Sequence, residues 1–195
     1  MVKAHRAGHR VVLVIATRGE RGEIVPGVLE DGEQLALRRS AEVYAAGEVL
    51  GVDRISFLGF VDSGMMGEST NDEPWAFWQA DVESAARRLA AVLQEEAADA
   101  LTVYDDNGLY GHPDHIQVHR VGMRAAEIAG VTRVLEGTVN RTMANRMIAA
   151  QRDEGGLELP EGTELPDVID IGLEEHQLTH AADVRDVAPL KREAL

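Results

Sequence analysis

The sequence predicts an α/β fold in which a mostly parallel sheet carries helices on both faces. Three observations predict it. Short apolar, β-branched runs alternate with longer segments of helical period. The first of those runs is continuous, as in strands buried on both faces, rather than alternating. Prolines and glycines mark several element boundaries. The chain has 195 residues, which suits a single domain over 1–195 with a sizeable core.

Each element follows from its own residues. MVKAHRAGHR at the start reads as the last turns of a helix, and VVLVIA at 11–16 as a buried strand. Residues 35–50 have helical spacing and stop at Gly51. RISFL at 54–58 is a short strand. A long helix is expected over 75–96, with Pro74 at its first turn and Trp78, Val82, Ala85, Leu89 and Val92 as its apolar stripe. ALTVY at 100–104 is a strand, and Pro113 opens a helix over 113–129. A strand over 131–139 and a helix over 141–152 follow. GGLELPEGTELP then reads as loop, with a weak strand around 168–171.

Composition narrows the function classes. Hydrophobic residues make up 45% and charged residues 27%, the balance of a soluble globular chain. The net charge of -15 repels phosphate backbones and anionic membranes, which argues against a nucleic-acid or membrane partner. There is no cysteine, so any metal must be held by His, Asp or Glu. No segment approaches the roughly 20 apolar residues of a membrane span. The basic start is followed by too short an apolar run for a signal peptide, so the cytoplasm is the expected location.

In parallel sheets, ligands bind at the carboxyl ends of the strands. Three polar, glycine-bearing loops follow three of the strands: TRGERGE at 17–23, GFVDSGMMG at 59–67 and DDNGLYGHPDH at 105–115. The topology sets all three on one edge of the sheet. In GHPDH, Pro113 puts His112 near the N-cap and His115 in the first turn, on the inward side with Val118, Val121, Ala125 and Ile128. A helix N-terminus disfavours imidazolium and favours a developing oxyanion. The plain alternative, a polar helix start with Asp114 complementing the dipole, has equal weight on the pattern alone. His119 is four residues from His115 but no glutamate lies between them, and it falls toward solvent. In TRGERGE, two glycines with Arg18, Glu20, Arg21 and Glu23 could cradle an anionic or hydroxyl-rich ligand, but the pattern fits no phosphate-loop template and reads as a charged surface loop. In DSGM, Asp62 could accept from hydroxyls and Met65 or Met66 pack on an apolar ligand face, against a turn with methionines in the core. Arg38 and Arg39 sit where the helix dipole does not favour cations. Asp105 and Asp106 are adjacent acids at a strand end; one could support the site residues from behind, but loop solvation is the plainer reading. His176 and His180 fall on a strand-like segment, out of helical register.

Together, VVLVIATRGERGE, RRSAEVYAAGEVLGVDRISFLGFVDSGM and LTVYDDNGLYGHPDHIQVHR resemble the LmbE-like or PIG-L family of zinc-dependent N-acetylglucosaminyl deacetylases, which includes the mycothiol-pathway deacetylases and amidases. The resemblance implies a Rossmann-like three-layer α/β fold and hydrolysis of the N-acetyl amide of a glucosamine or inositol conjugate by zinc-activated water. It implies His115 as a zinc ligand, His112 as oxyanion stabiliser or acid, and Tyr110 as a hydrogen-bond donor at the oxyanion. Asp114 would support the histidines, while Arg39, Asp62 and Met65 would face the sugar or inositol. The family's AHPDD element, which supplies two further zinc ligands and the general base, has no counterpart here. The expectation is therefore a family member without its first strand and with an incomplete zinc site. One histidine does not hold a catalytic zinc, which needs about three protein ligands. His5 and His9 precede the first strand, at the wrong edge to replace the others. An open strand edge invites self-association or a partner. The alternatives to hydrolysis are a non-catalytic binder of a sugar conjugate or of a partner, and an inactive fragment.

Overall fold

A computed structural model describes residues 1–154 and 168–195. The loop expected over GGLELPEGTELP lies outside them. The elements run α1 (Val2–Arg6), β1 (Val12–Ile15), α2 (Leu35–Leu50), β2 (Arg54–Phe57), α3 (Val82–Glu95), β3 (Ala100–Tyr104), a single turn α4 (Gly108–Gly111), α5 (Pro113–Ala129), β4 (Arg133–Gly137), α6 (Arg141–Glu154) and α7 (Ala188–Glu193). The fold is α/β, and every strand pair is parallel. Val12 pairs with Arg54 in register through to Ile15 with Phe57, and Ala100 with Arg133 through to Tyr104 with Gly137. Two separate two-stranded ladders result, β1–β2 and β3–β4.

The helices form for legible reasons. Gly51 takes the left-handed conformation that closes α2, and Gly130 does the same for α5. Pro113 occupies the first position of α5, where its missing N–H costs nothing. The helix expected over 75–96 is shorter. It begins at Val82, where Asp81 accepts the Ser84 backbone N–H as N-cap. Ala76 instead forms a parallel bridge with Val61, and the Phe77 N–H donates to the Val61 carbonyl. That long-range pairing overrides the helical spacing of Trp75 and Trp78, which precede the helix. The strand expected at 168–171 is also absent. Its place is taken by an isolated bridge between Asn140 and Leu173. The segment around His180 is likewise not a strand.

The core sits between α3 and α5. Ala85, Ala86, Leu89, Ala90 and Leu93 of α3 close on Val121 and Ala125 of α5, with Phe77 fully buried at their edge. Val14, Ala16, Leu58, Phe60 and Leu101 pack against this same cluster, so both ladders share one helical layer. The approach of α5 to β3 requires glycine. A Cβ at Gly122 would lie 2.4 Å from Val103 Cγ1. At the N-terminal ends of β1 and β2, Glu96 accepts from Arg10 and Arg54, which hold its carboxylate pKa down at about 2. No helix among the described residues is long and apolar enough to cross a membrane.

Candidate functional site

The loops after β1, β2 and β3 meet at the start of α5, and Asp114 is the joint. Its Oδ2 accepts from Thr17 Oγ1 and from the Ser63 backbone N–H, each at 3.3 Å. One carboxylate therefore ties all three loops together. Asp114 is buried, and its Oδ1 has no hydrogen-bond partner among the described residues. Burial raises its pKa, the Ser63 hydrogen bond opposes this, and the charge of Asp62 adds to the rise.

His112 caps α5 with its side chain. Its Nδ1 accepts the Asp114 backbone N–H at 3.1 Å, and its carbonyl accepts from His115 and Ile116. An Nδ1 that accepts leaves the proton of the neutral ring on Nε2, so His112 presents a donor. His115 is set the opposite way. Its Nδ1 lies 3.3 Å from the Gly108 carbonyl, which can only accept, so Nδ1 carries the proton and Nε2 presents a lone pair. Burial first, and then the nearby His112, lower the His115 pKa and keep that ring neutral. The two ring centroids lie 4.9 Å apart. The site thus offers one imidazole donor beside one imidazole lone pair, at the positive end of a 17-residue helix.

Aromatic rings and a strained turn hold this pair. His115 stacks on Tyr104, the last residue of β3, at 3.9 Å and 14°. Tyr110 meets His115 edge-on at 5.2 Å and is itself half exposed. The turn that carries Tyr110 is tightly specified. A Cβ at Gly108 would lie 2.7 Å from the Ile116 backbone nitrogen, and Leu109 adopts a φ of 62°. Asp105 fixes this conformation. It is buried, not solvated as expected, and accepts from the Leu109 N–H at 2.7 Å and from Thr138 Oγ1 at 2.6 Å.

The remaining expected residues occupy the rim. The Asp62 carboxylate is buried and accepts the backbone N–H groups of Gly64 and Arg21, so it shapes the loops. Arg21 also donates to the Asp62 carbonyl and pairs with Glu73. TRGERGE is therefore a clamp between loops rather than a free surface segment. Asn71 is buried beneath DSGM, donating to the Ser63 and Met65 carbonyls, and leaves Met65 exposed. Arg39 is exposed, and its guanidinium lies against Gly19 and Gly22, where a Cβ at Gly22 would be 3.0 Å from Nη2. Arg38 points away, to Glu33.

Other histidines do not join the site. His119 is half-buried rather than solvent-facing, and its Nδ1 lies 3.1 Å from the Tyr104 carbonyl. His5 sits near Asp53 at the far ends of the strands. Thr17, Ser63 and Tyr104 escaped the sequence reading. Only Tyr104 left a signal, as an aromatic ending a strand just before the histidine loop. His115 meets the requirements of a metal ligand, being neutral with a free Nε2. However, no group of three or more His, Cys, Asp or Glu side chains that could hold a metal ion occurs among the described residues. The described residues thus offer a metal one ligand, His115, and do not by themselves close a catalytic site around it.

The chain matches the PIG-L family, described as GlcNAc-PI de-N-acetylase, over residues 1–126. It is 39% identical to the 1D-myo-inositol 2-acetamido-2-deoxy-alpha-D-glucopyranoside deacetylase of Thermomonospora curvata, across 100% of this chain and 72% of that protein. The protein of the same name from Salinispora arenicola is 48% identical over 66% of this chain and 45% of its own length. Among solved structures, the N,N'-diacetylchitobiose deacetylase from Pyrococcus horikoshii superposes with a TM-score of 0.59 at 20% identity, covering 98% of this chain and 60% of that one. A deacetylase of the teicoplanin biosynthesis pathway gives 0.60 at 19% identity, covering 99% and 74%. These two likenesses concern the fold.

Proposed function

The chain belongs to the PIG-L family of GlcNAc-PI de-N-acetylases, and on that premise we propose that it serves hydrolysis of the N-acetyl amide of a glucosamine–inositol conjugate. The observation that carries this reading is the complementary pair of imidazoles at the α5 N-terminus. An acetamide carbonyl beside His112 receives its Nε2–H as a hydrogen bond. Negative charge developing on that oxygen is stabilised by the same donor and by the helix N-terminus. The exposed Tyr110 hydroxyl is the second donor in this arrangement. Asp114 acts through the others, holding His112 in its donor tautomer by presenting its own backbone N–H and joining the three loops. Arg39 and Met65 line the side on which the sugar or inositol ring lies, on loops that Asp62 keeps in place.

Zinc is the cation this reading implies, and His115 would be its ligand from this chain, holding it weakly when zinc is supplied in excess. A second reading, conjugate binding without turnover, is favoured by one observation: the described residues bring no group of three ligands together. Release of free amine from an N-acetylglucosaminyl-inositol conjugate, with and without added zinc, separates the two. Zinc-dependent release diminished in His112→Ala supports hydrolysis. Saturable binding with no release in either condition overturns hydrolysis in favour of the second reading.

A further inference from the structure

A cleft of about 330 Å³ lies between the end of β2 and the start of α3, lined by both residues of the Val61–Ala76 bridge. That volume is at the lower end of the range for small-molecule sites, about 300–1,000 Å³. Neither the family reading nor the residues placed above use it. We infer that this cleft binds a hydroxylated six-membered ring, a sugar or a cyclitol, with Trp75 as the stacking face and Asp81 and Arg88 as its polar walls.

Three features support the assignment. The first is Trp75, a large aromatic ring with 61% of its surface exposed, at the cleft wall. Its ring is not free to wander, because Nε1 donates to Glu73 at 2.8 Å and Glu73 is in turn paired with Arg21. A fixed, exposed indole is the surface against which the C–H face of a sugar ring packs. The second is Arg88. It lies 4.9 Å over the Phe60 ring and donates to the Leu58 carbonyl, and it has no carboxylate partner among the described residues. Its remaining N–H groups are available as donors. The third is Asp81. Its Oδ1 caps Ser84, and hydrogen bonds from the Ser84 backbone and hydroxyl lower its pKa, so it is an ionised acceptor. The Ser84 hydroxyl lines the same wall. A carboxylate, a guanidinium and a hydroxyl around one indole match a neutral ring bearing many hydroxyls. An anion would meet Asp81, and an apolar ring would leave the polar walls unpaired.

Glu73 links the cleft to the candidate-site loops: it accepts from Trp75 Nε1 and pairs with Arg21, whose backbone N–H donates to Asp62. The inference rests on the cleft's own residues and does not require amide hydrolysis.

The test is binding, followed by the two indole N–H signals of the full chain in nitrogen-15 correlation spectra, with Trp75→Phe used for assignment. Myo-inositol and N-acetylglucosamine are titrated separately, so the arms distinguish a cyclitol from a sugar ring. The Trp75 signal is expected to move saturably with at least one of them while Trp78, held under Arg120, does not. Arg88→Met is expected to weaken that Kd by at least about tenfold, the scale of one charge-assisted hydrogen bond, with unchanged circular dichroism. A Trp75 signal unmoved by both rings, equal movement of both indoles, or an unchanged Kd in Arg88→Met overturns the assignment. Because the readout is binding at Trp75, failure here leaves the amine-release result untouched, and the converse holds.

Discussion

The imidazole of His115 lies nearly parallel to the ring of Tyr104, with centroids 3.9 Å apart, while its Nδ1 faces the Gly108 carbonyl. Burial of the ring lowers its pKa and the nearby His112 adds to the fall, while the Gly108 hydrogen bond opposes it. The consequence for stability has a definite sign. A histidine whose folded pKa lies below its unfolded value of about 6.5 contributes stability above that value and loses it as pH falls through the folded pKa. Urea unfolding of the metal-free chain is therefore expected to show lower stability at pH 5 than at pH 7.5. The drop should be smaller in His115→Gln. An equal drop in that variant would mean that other groups set the acid limb.

Asp114 joins three loops through one oxygen. Asp114→Ala removes both hydrogen bonds and leaves the buried Ser63 N–H without its acceptor. A loss of about 1–3 kcal/mol is expected in urea unfolding, the cost of orphaning a buried polar group. Amide exchange should quicken at Ser63 while staying unchanged in the α3–α5 core. Unaltered exchange at Ser63 would show that Asp114 does not hold the loops.

Gly122 brings α5 onto β3. Ala is the better helix former, so propensity alone predicts a gain of up to about 1 kcal/mol from Gly122→Ala. The 2.4 Å approach to Val103 Cγ1 predicts the opposite, a loss of about 1–3 kcal/mol from overpacking. Equilibrium unfolding decides between the two signs.

Much of this was legible in the sequence for local reasons. Pro113 opens α5 and His112 caps it by chemistry contained within the segment, and Val121 and Ala125 of its expected inward stripe are buried. The helix over 75–96 was overextended because Trp75 and Trp78 continue an apolar rhythm, while the contact that removes them, Val61 with Ala76, spans 15 residues. The site's architecture was harder to read for the same reason. Thr17 and Ser63 are ordinary loop residues until Asp114 reaches them across 97 and 51 positions. Asp105 looked like a solvated loop acid because its partners, Leu109 and Thr138, declare themselves only through the strained turn and the β3–β4 pairing.

The His115 Nε2 lone pair gives a metal ion one good ligand, but a tightly held catalytic zinc needs about three. The 195-residue chain is therefore expected to retain well under one zinc per chain after dialysis without chelator. Elemental analysis finding about one retained zinc would contradict this reading of the ligand set.

In the proposed reading, His112 and His115 form an amide-hydrolysis pair, with His112 as the Nε2–H donor to the carbonyl oxygen. The most direct measurement is the initial rate of amine release from an N-acetylglucosaminyl-inositol conjugate in the presence of added zinc, for the unmodified chain, His112→Ala and His115→Ala. With zinc in excess over a site that holds it weakly, release by the unmodified chain is expected to rise with zinc concentration, to fall about 10²–10³-fold in His112→Ala from loss of an oxyanion donor, and to reach background in His115→Ala. No release by the unmodified chain, or equal rates in all three proteins, would contradict it.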